Sequence, residues 1–371
     1  SKNTFFEKER INIKNQNLSE VSLINYAEAI RNAQDFCLEK YPETFLMGLG
    51  VPDAKGVFGS TINLQEKYGH KRVFDTPLSE NAMTGIAIGS AILGSRPILT
   101  HQRLDFALVS IEQIVNQAAK WSYMFDGNYN VPIVIRMIIG RGWGQGPQHS
   151  QSLHSWFAHI PGLKVIMPSS ADDAKGLLLS SIFDPNPVLF LEHRWLHNSS
   201  SEVPEGDYRI PIGKSKKLEK GNDFTIVSMS YLTAEALIAS KYLRRFGIEV
   251  DLIDLRTIKP LDLTSIVESL SKTGKILVLD TGVSTCSVAS DIISKLSTEY
   301  FSLLKESPVI LTMPEVPEPT SFALTKGFYI RAADIANQVL KKLKISNINP
   351  YEDIKEPVPH DVPGEWFKGP F

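Results

Sequence analysis

Cysteine is scarce: Cys37 and Cys286 are the only two in 371 residues and lie far apart in the chain. A secreted disulfide framework and a paired-cysteine metal site are both disfavoured, and a reducing compartment fits. Excess charge of one sign is also missing. Lys and Arg total 39 against 41 Asp and Glu, a formal net charge of −2, so nothing draws the chain toward nucleic acid or an anionic membrane. The longest apolar run, around Ala82 to Gly94, is short of the ~20 residues that span a bilayer. The first residues, Ser1 to Arg10, lack the apolar core of a signal peptide. A cytoplasmic location is expected, although a cleaved organellar transit peptide would leave no trace. There is no Gly-x-x-x-x-Gly-Lys-Ser/Thr phosphate loop, no Gly-x-Gly-x-x-Gly dinucleotide turn between a strand and a helix, and no internal repeat. Nucleotide binding is therefore disfavoured, and a small molecule or a protein is the expected partner.

What is present is an ordinary globular composition, 43% apolar and 22% charged, in a length that suggests two or three domains. From Val21 the apolar residues Leu23, Ala27, Ile30, Ala33 and Cys37 recur about one helical turn apart and predict an amphipathic helix. Short apolar runs follow at Phe45–Met47, Arg96–Thr100, Val131–Ile139, Leu163–Ile166 and Val188–Leu191, alternating with helix-like stretches. That alternation predicts an α/β fold with a mostly parallel sheet covered by helices. The division expected is a first domain over 1–201, a Pro-, Gly- and Lys-rich linker over 202–222, a second α/β domain over 223–345 and an extended tail over 346–371. The second domain shows strand runs at Phe224–Met229, Glu249–Leu255, Lys275–Asp280 and Val309–Met313. The tail, with several prolines and with Trp366 and Phe371 near its end, cannot build its own core and is expected to pack on a partner or stay mobile.

Three places could carry chemistry. In Arg72–Glu80, Thr76 or Asp75 can cap a helix whose first position is Pro77, which puts Glu80 in the first turn. Glu80 either complements the helix dipole or is a buried carboxylate aimed at a ligand. The glycine-rich stretch Gly140–Gln151 follows the most apolar strand, and a mobile loop at the carboxyl end of a strand is where open α/β sheets place ligands. His149 in that loop is either a solvated side chain or a proton-transfer group. Phe106, after His101-Gln102-Arg103-Leu104-Asp105, is either core or a ring that stacks on a ligand. His154 and His159 do not have the four-residue spacing of a helical zinc pair.

Several ordered blocks together resemble one family, the beta subunits of pyruvate and branched-chain 2-oxo acid dehydrogenase decarboxylases, among the transketolase-like thiamine enzymes. The blocks are Lys67–Glu80, Gln148–Ser152 with Ala158–Val165, Asp173–Gly176, and Asp254–Asp262 in the second domain, and the resemblance runs from about Asn17 to Leu343. It implies a thiamine-diphosphate-binding, pyrimidine-type domain followed by a C-terminal transketolase-type domain. It further implies that Glu80 hydrogen-bonds the aminopyrimidine ring and favours the imino form that activates the thiazolium, that Phe106 stacks on that ring, and that His149 assists substrate handling and acyl transfer to a lipoyl arm. A structural potassium ion is implied at the positions matching Ile133, Ser181, Ile182, Asp184 and Asn186, where the residues alone read equally as an Asp-Pro-Asn turn. The Gly-Asp-Gly motif through which family alpha subunits hold magnesium and the cofactor diphosphate is missing, so the cofactor is expected to be clamped between this chain and an alpha subunit, in an assembly of two alpha and two beta chains.

The chain also departs from the family. Relatives usually carry an acidic pair where Leu49-Gly50 stands, a neutral aromatic segment where His101-Gln102-Arg103 stands, and a different acidic pattern at Asp280-Thr281. The tail beyond Ser346 is longer than usual, which leaves docking on a lipoyl acyltransferase core open. The basic changes suit a more anionic or hydroxylated substrate than pyruvate and keep a second reading in play, half of a split transketolase-like enzyme acting on a sugar or a specialised 2-oxo acid. A third reading, a non-catalytic partner subunit, predicts loss of the cofactor-facing residues, and Glu80, Phe106 and His149 are all present. Self-association in isolation is expected from an exposed apolar partner surface.

Overall fold

The computed structural model describes residues 20–369; Phe371 and the polar first residues lie outside them. Strands β1 (Val21–Asn25), β2 (Thr44–Met47), β3 (Val73–Phe74), β4 (Arg96–His101), β5 (Val134–Ile139), β6 (Lys164–Ile166), β7 (Val188–His193) and β8 (Ser200–Pro204) belong to the first half. The second half adds β9 (Lys216–Glu219), β10 (Phe224–Ser228), β11 (Val250–Asp254), β12 (Thr257–Lys259), β13 (Ile276–Val283) and β14 (Val309–Met313). The first sheet runs β12-β6-β7-β5-β4-β2-β3 and is parallel except for β12. The second runs β14-β13-β10-β11-β9 and is parallel except for the edge strand β9.

Helices cover both faces, so central strands are buried throughout, and β5 and β7 have no exposed residue. This is the parallel α/β architecture expected from the alternating runs, in two layered sheets. The helical pattern starting at Val21 begins too early. Val21–Asn25 is a strand paired antiparallel with β8, and the helix Tyr26–Lys40 starts where Asn25 Oδ1 accepts from Glu28 N at 2.9 Å. Val21, Leu23 and Asn25 fit the two-residue strand period as well as the helical one, and the cap decides between them.

The two halves are joined through buried polar contacts as well as by β12. Arg256 pairs with Asp173 at 2.8 Å, and His154 with Asp280 at 2.8 Å, the latter pair wholly buried. Two edge strands, β8 and β9, occupy the ends of the Pro- and Gly-rich segment between the sheets. The tail packs on its own chain rather than standing free. Arg331 donates to the carbonyls of His360 and Val362, Arg141 pairs with Asp361 at 3.0 Å, and Trp366 and Phe367 join the core. Its apolar side chains find their burial on the sheet domains that precede it.

Candidate active site

The carboxyl ends of β2, β4, β5 and β7 lie side by side in the first sheet, and each is followed by a loop that carries polar side chains. Such an edge is where open parallel sheets bind ligands. Glu80 is the first residue of the helix Glu80–Ile92. The cap expected from Thr76 or Asp75 is not formed. Asp75 Oδ1 instead accepts from the backbone nitrogens of Gly50 and Thr76 at 2.9 and 2.8 Å, which delays the helix to Ser79, itself without a capping bond. Glu80 is half-buried, and its carboxylate has no hydrogen-bond or ion-pair partner among the described residues.

Glu80 and Phe106 line one pocket together with Gly48, Met83 and His101. His149 meets Phe106 with ring centroids 5.3 Å apart and planes at 87°, so the three residues singled out in the sequence sit together. His149 itself is exposed. His101 is 5% exposed, its Nε2 is buried without a partner, and burial pushes its pKa down to about 4. A neutral imidazole with an unsatisfied nitrogen therefore belongs to the pocket lining, and a ligand hydrogen bond to that nitrogen would satisfy it.

The glycine-rich loop is pinned rather than free. Arg103 donates to Gly140 O at 2.6 Å and to Gln145 Oε1, Arg141 donates to Pro319 O at 2.6 Å, and Gly142 N donates to Gln145 Oε1 at 2.9 Å. Gly140 has φ +72°, and a Cβ there would fall 2.1 Å from His193 Nε2. Beneath the loop, Arg136 on β5 is fully buried and bonds Glu192 through two nitrogens at 2.6 and 2.9 Å, Gln34 at 2.7 Å and Ser60 at 2.7 Å. Burial alone would raise the Glu192 pKa, but Arg136 and His197 hold it down at about 2. This network was not read from the sequence; its signal was Arg136 and Glu192 inside strands of mostly apolar residues.

The turn expected to hold potassium is present as an Asp-Pro-Asn turn, with Asn186 N donating to Asp184 Oδ1 at 2.9 Å. The Ile133 carbonyl accepts from Val188 N at 2.9 Å, that of Ser181 from Asp184 N at 3.2 Å, and that of Ile182 from Arg96 at 2.8 Å. Lys164 pairs with the Asp184 carboxylate. Each of these three carbonyl oxygens has a second lone pair, so the donor set is compatible with a monovalent cation. Among the described residues no group of three or more His, Cys, Asp or Glu side chains is arranged to hold a metal.

Residues 22–198 match the family described as transketolase, pyrimidine binding domain, and residues 213–335 match transketolase, C-terminal domain. The chain is 40% identical over 326 residues to the beta subunit of acetoin:2,6-dichlorophenolindophenol oxidoreductase from Cupriavidus necator, covering 85% of this chain and 96% of that one. It is 38% identical over 322 residues to the pyruvate dehydrogenase E1 component subunit beta of Rhizobium meliloti, covering 86% of this chain and 70% of that one. Among solved structures, a split-gene transketolase described as an inactive beta4 tetramer superposes with a TM-score of 0.70 at 23% identity, covering 87% of this chain and 99% of the other. That likeness speaks for the fold alone.

Proposed function

Because this chain belongs to the transketolase-like family that includes those pyruvate dehydrogenase and acetoin oxidoreductase beta subunits, we propose that it is the beta subunit of a thiamine-diphosphate-dependent 2-oxo acid dehydrogenase decarboxylase, active together with an alpha subunit. The observation that carries this reading is the meeting of Glu80, Phe106, His101 and His149 at one edge of the first sheet. An unpaired carboxylate, an aromatic ring and a buried imidazole nitrogen without a partner fit the aminopyrimidine end of thiamine diphosphate.

The bound cofactor supplies the electron sink for decarboxylation. The Glu80 carboxylate would share a proton with a ring nitrogen of the bound cofactor. Phe106 supplies a stacking surface and fixes ring orientation. His101, kept neutral by burial, serves as a hydrogen-bond partner rather than a charge. His149, exposed on the glycine-rich loop, would move a proton at a substrate oxygen and assist acyl transfer to a lipoyl arm. Magnesium and the diphosphate are assigned to the alpha subunit, and potassium to the carbonyls around Asp184. A cation held by the same oxygens that accept from Lys164 and Arg96 should act on stability, so exchanging potassium for choline should lower the melting temperature; an unchanged value counts against the site.

The deciding test is calorimetric titration of thiamine diphosphate with magnesium into the full chain, alone and co-expressed with its alpha subunit. Binding in the pair alone, abolished by Glu80→Ala, is the expected result. Tight binding to the isolated chain would overturn the shared site, and no binding by the pair would favour a non-catalytic subunit.

A further inference from the structure

Six arginines among the described residues are more than nine-tenths buried: Arg103, Arg136, Arg141, Arg194, Arg256 and Arg331. Four carry a carboxylate, Arg136 with Glu192, Arg141 with Asp361, Arg256 with Asp173 and Arg331 with Glu235. Arg103 and Arg194, 3% and 2% exposed, have none. The two sit over the same ring, their guanidinium carbons 5.4 and 4.5 Å from the centre of Phe58, and Phe367 lies 5.1 Å from Arg194. Arg103 is bonded to uncharged acceptors, Gly140 O and Gln145 Oε1. Nε and Nη1 of Arg194 are buried with no partner at all among the described residues.

Burial lowers both arginines to about 10, so both stay charged at neutral pH. Asp105 and Glu318 face Arg103 and favour its charged form, but neither makes an ion pair with it: Asp105 is bonded to Gln151 at 2.8 Å, and Glu318 is bonded to Tyr329 at 2.6 Å with its carboxyl pushed up to about 7, chiefly by burial. Two buried cations side by side are costly unless an anion joins them. The place is also telling. Arg103 lies two residues beyond the pocket-lining His101, Arg194 follows β7, and the loop bearing His149 leaves β5 between them. Phe58 and Phe367 flank Arg194, and its two free donors suit an oxyanion.

We propose that Arg103 and Arg194 form a subsite for a second anionic group, a carboxylate or a phosphate, on the substrate. This rests on the decarboxylase reading and narrows it: the 2-oxo acid carries a further negative charge at the end remote from its reacting carbonyl. Phe367 makes the tail part of that subsite.

The test uses the full chain, with inorganic phosphate, 2-oxoglutarate and pyruvate as probes at constant ionic strength. Phosphate or 2-oxoglutarate at tenfold excess over its Kd should raise the wild-type melting temperature by roughly 2 °C, whereas pyruvate should not. A response to 2-oxoglutarate alone assigns the carboxylate, and a response to phosphate alone assigns the phosphate. Arg194→Met, which removes the charge and keeps an apolar body between the rings, should abolish the shift while melting no lower than wild type in anion-free buffer. No shift in wild type, or an equal shift in R194M, overturns the subsite. Thiamine diphosphate binding by the co-expressed wild-type pair is measured in parallel. If it is retained while the anion effect is missing, only the subsite fails; if it is lost, the decarboxylase reading fails by itself.

Discussion

At the scale of single residues, the proposed roles separate cofactor binding from proton transfer. Glu80 and Phe106 line it, whereas His149 touches Phe106 from the solvent side. His149→Ala in the assembled enzyme should therefore leave thiamine diphosphate affinity unchanged in calorimetry and lower kcat by about 10²–10⁴-fold, the usual worth of a positioned acid–base group. Asp254 gives a pH signature of the opposite kind to a paired acid. Burial and the neighbouring Asp173 carboxylate push its pKa up to about 7. The folded chain thus holds a proton that the unfolded chain has released between about pH 4 and pH 7, so this group's contribution to stability falls as pH rises through that window and is level above it. Asp254→Asn should melt progressively higher than wild type from pH 4 to pH 7, with a constant difference beyond. A pH-independent difference in thermal melts would show that the carboxyl is ionised in the fold.

At the scale of elements, strands β5 and β7 set the stability of the site and the glycine-rich loop sets its shape. Glu192→Ala would leave Arg136 fully buried without its carboxylate, and the loss should be about 3–5 kcal/mol in denaturant unfolding. Gly140 allows β5 to turn sharply into the loop against His193. Gly140→Ala forces both a positive φ and a contact with that imidazole, so it should destabilise the chain by at least ~1 kcal/mol and raise KM more than a surface substitution in the same loop. An Ala variant with wild-type kinetics and melting would show that the turn does not position His149.

At the scale of the whole molecule, one face remains apolar. Ile86 on the helix Glu80–Ile92, Leu93 directly after it, and Val109, Tyr123 and Met124 near the helical segment it lies against are each more than half exposed. Side chains of this kind, beside a pocket that lacks a diphosphate clamp, suit burial by a partner. The isolated chain should self-associate in sedimentation, and Tyr123→Lys should reduce that association while shifting monomer stability by only about 0.5 kcal/mol. Unaltered sedimentation would move the interface elsewhere.

The sequence by itself determined the α/β class and the order of the central strands along the chain, because burial on both faces writes near-continuous apolar runs, and it singled out Glu80, Phe106 and His149, which the fold brings together. It misplaced the first helix, where Val21 and Leu23 satisfy two periods at once, and the cap before Glu80, where Asp75 is taken by a backbone nitrogen twenty-five residues away. Only the tertiary structure decided which charges are paired. Arg136 and Glu192 lie 56 residues apart in the chain, Arg141 and Asp361 lie 220 apart, and nothing local distinguishes these arginines from Arg103 and Arg194. Whether a buried guanidinium is neutralised or left waiting for an anion depends on groups that meet only when the sheets and the tail close over them.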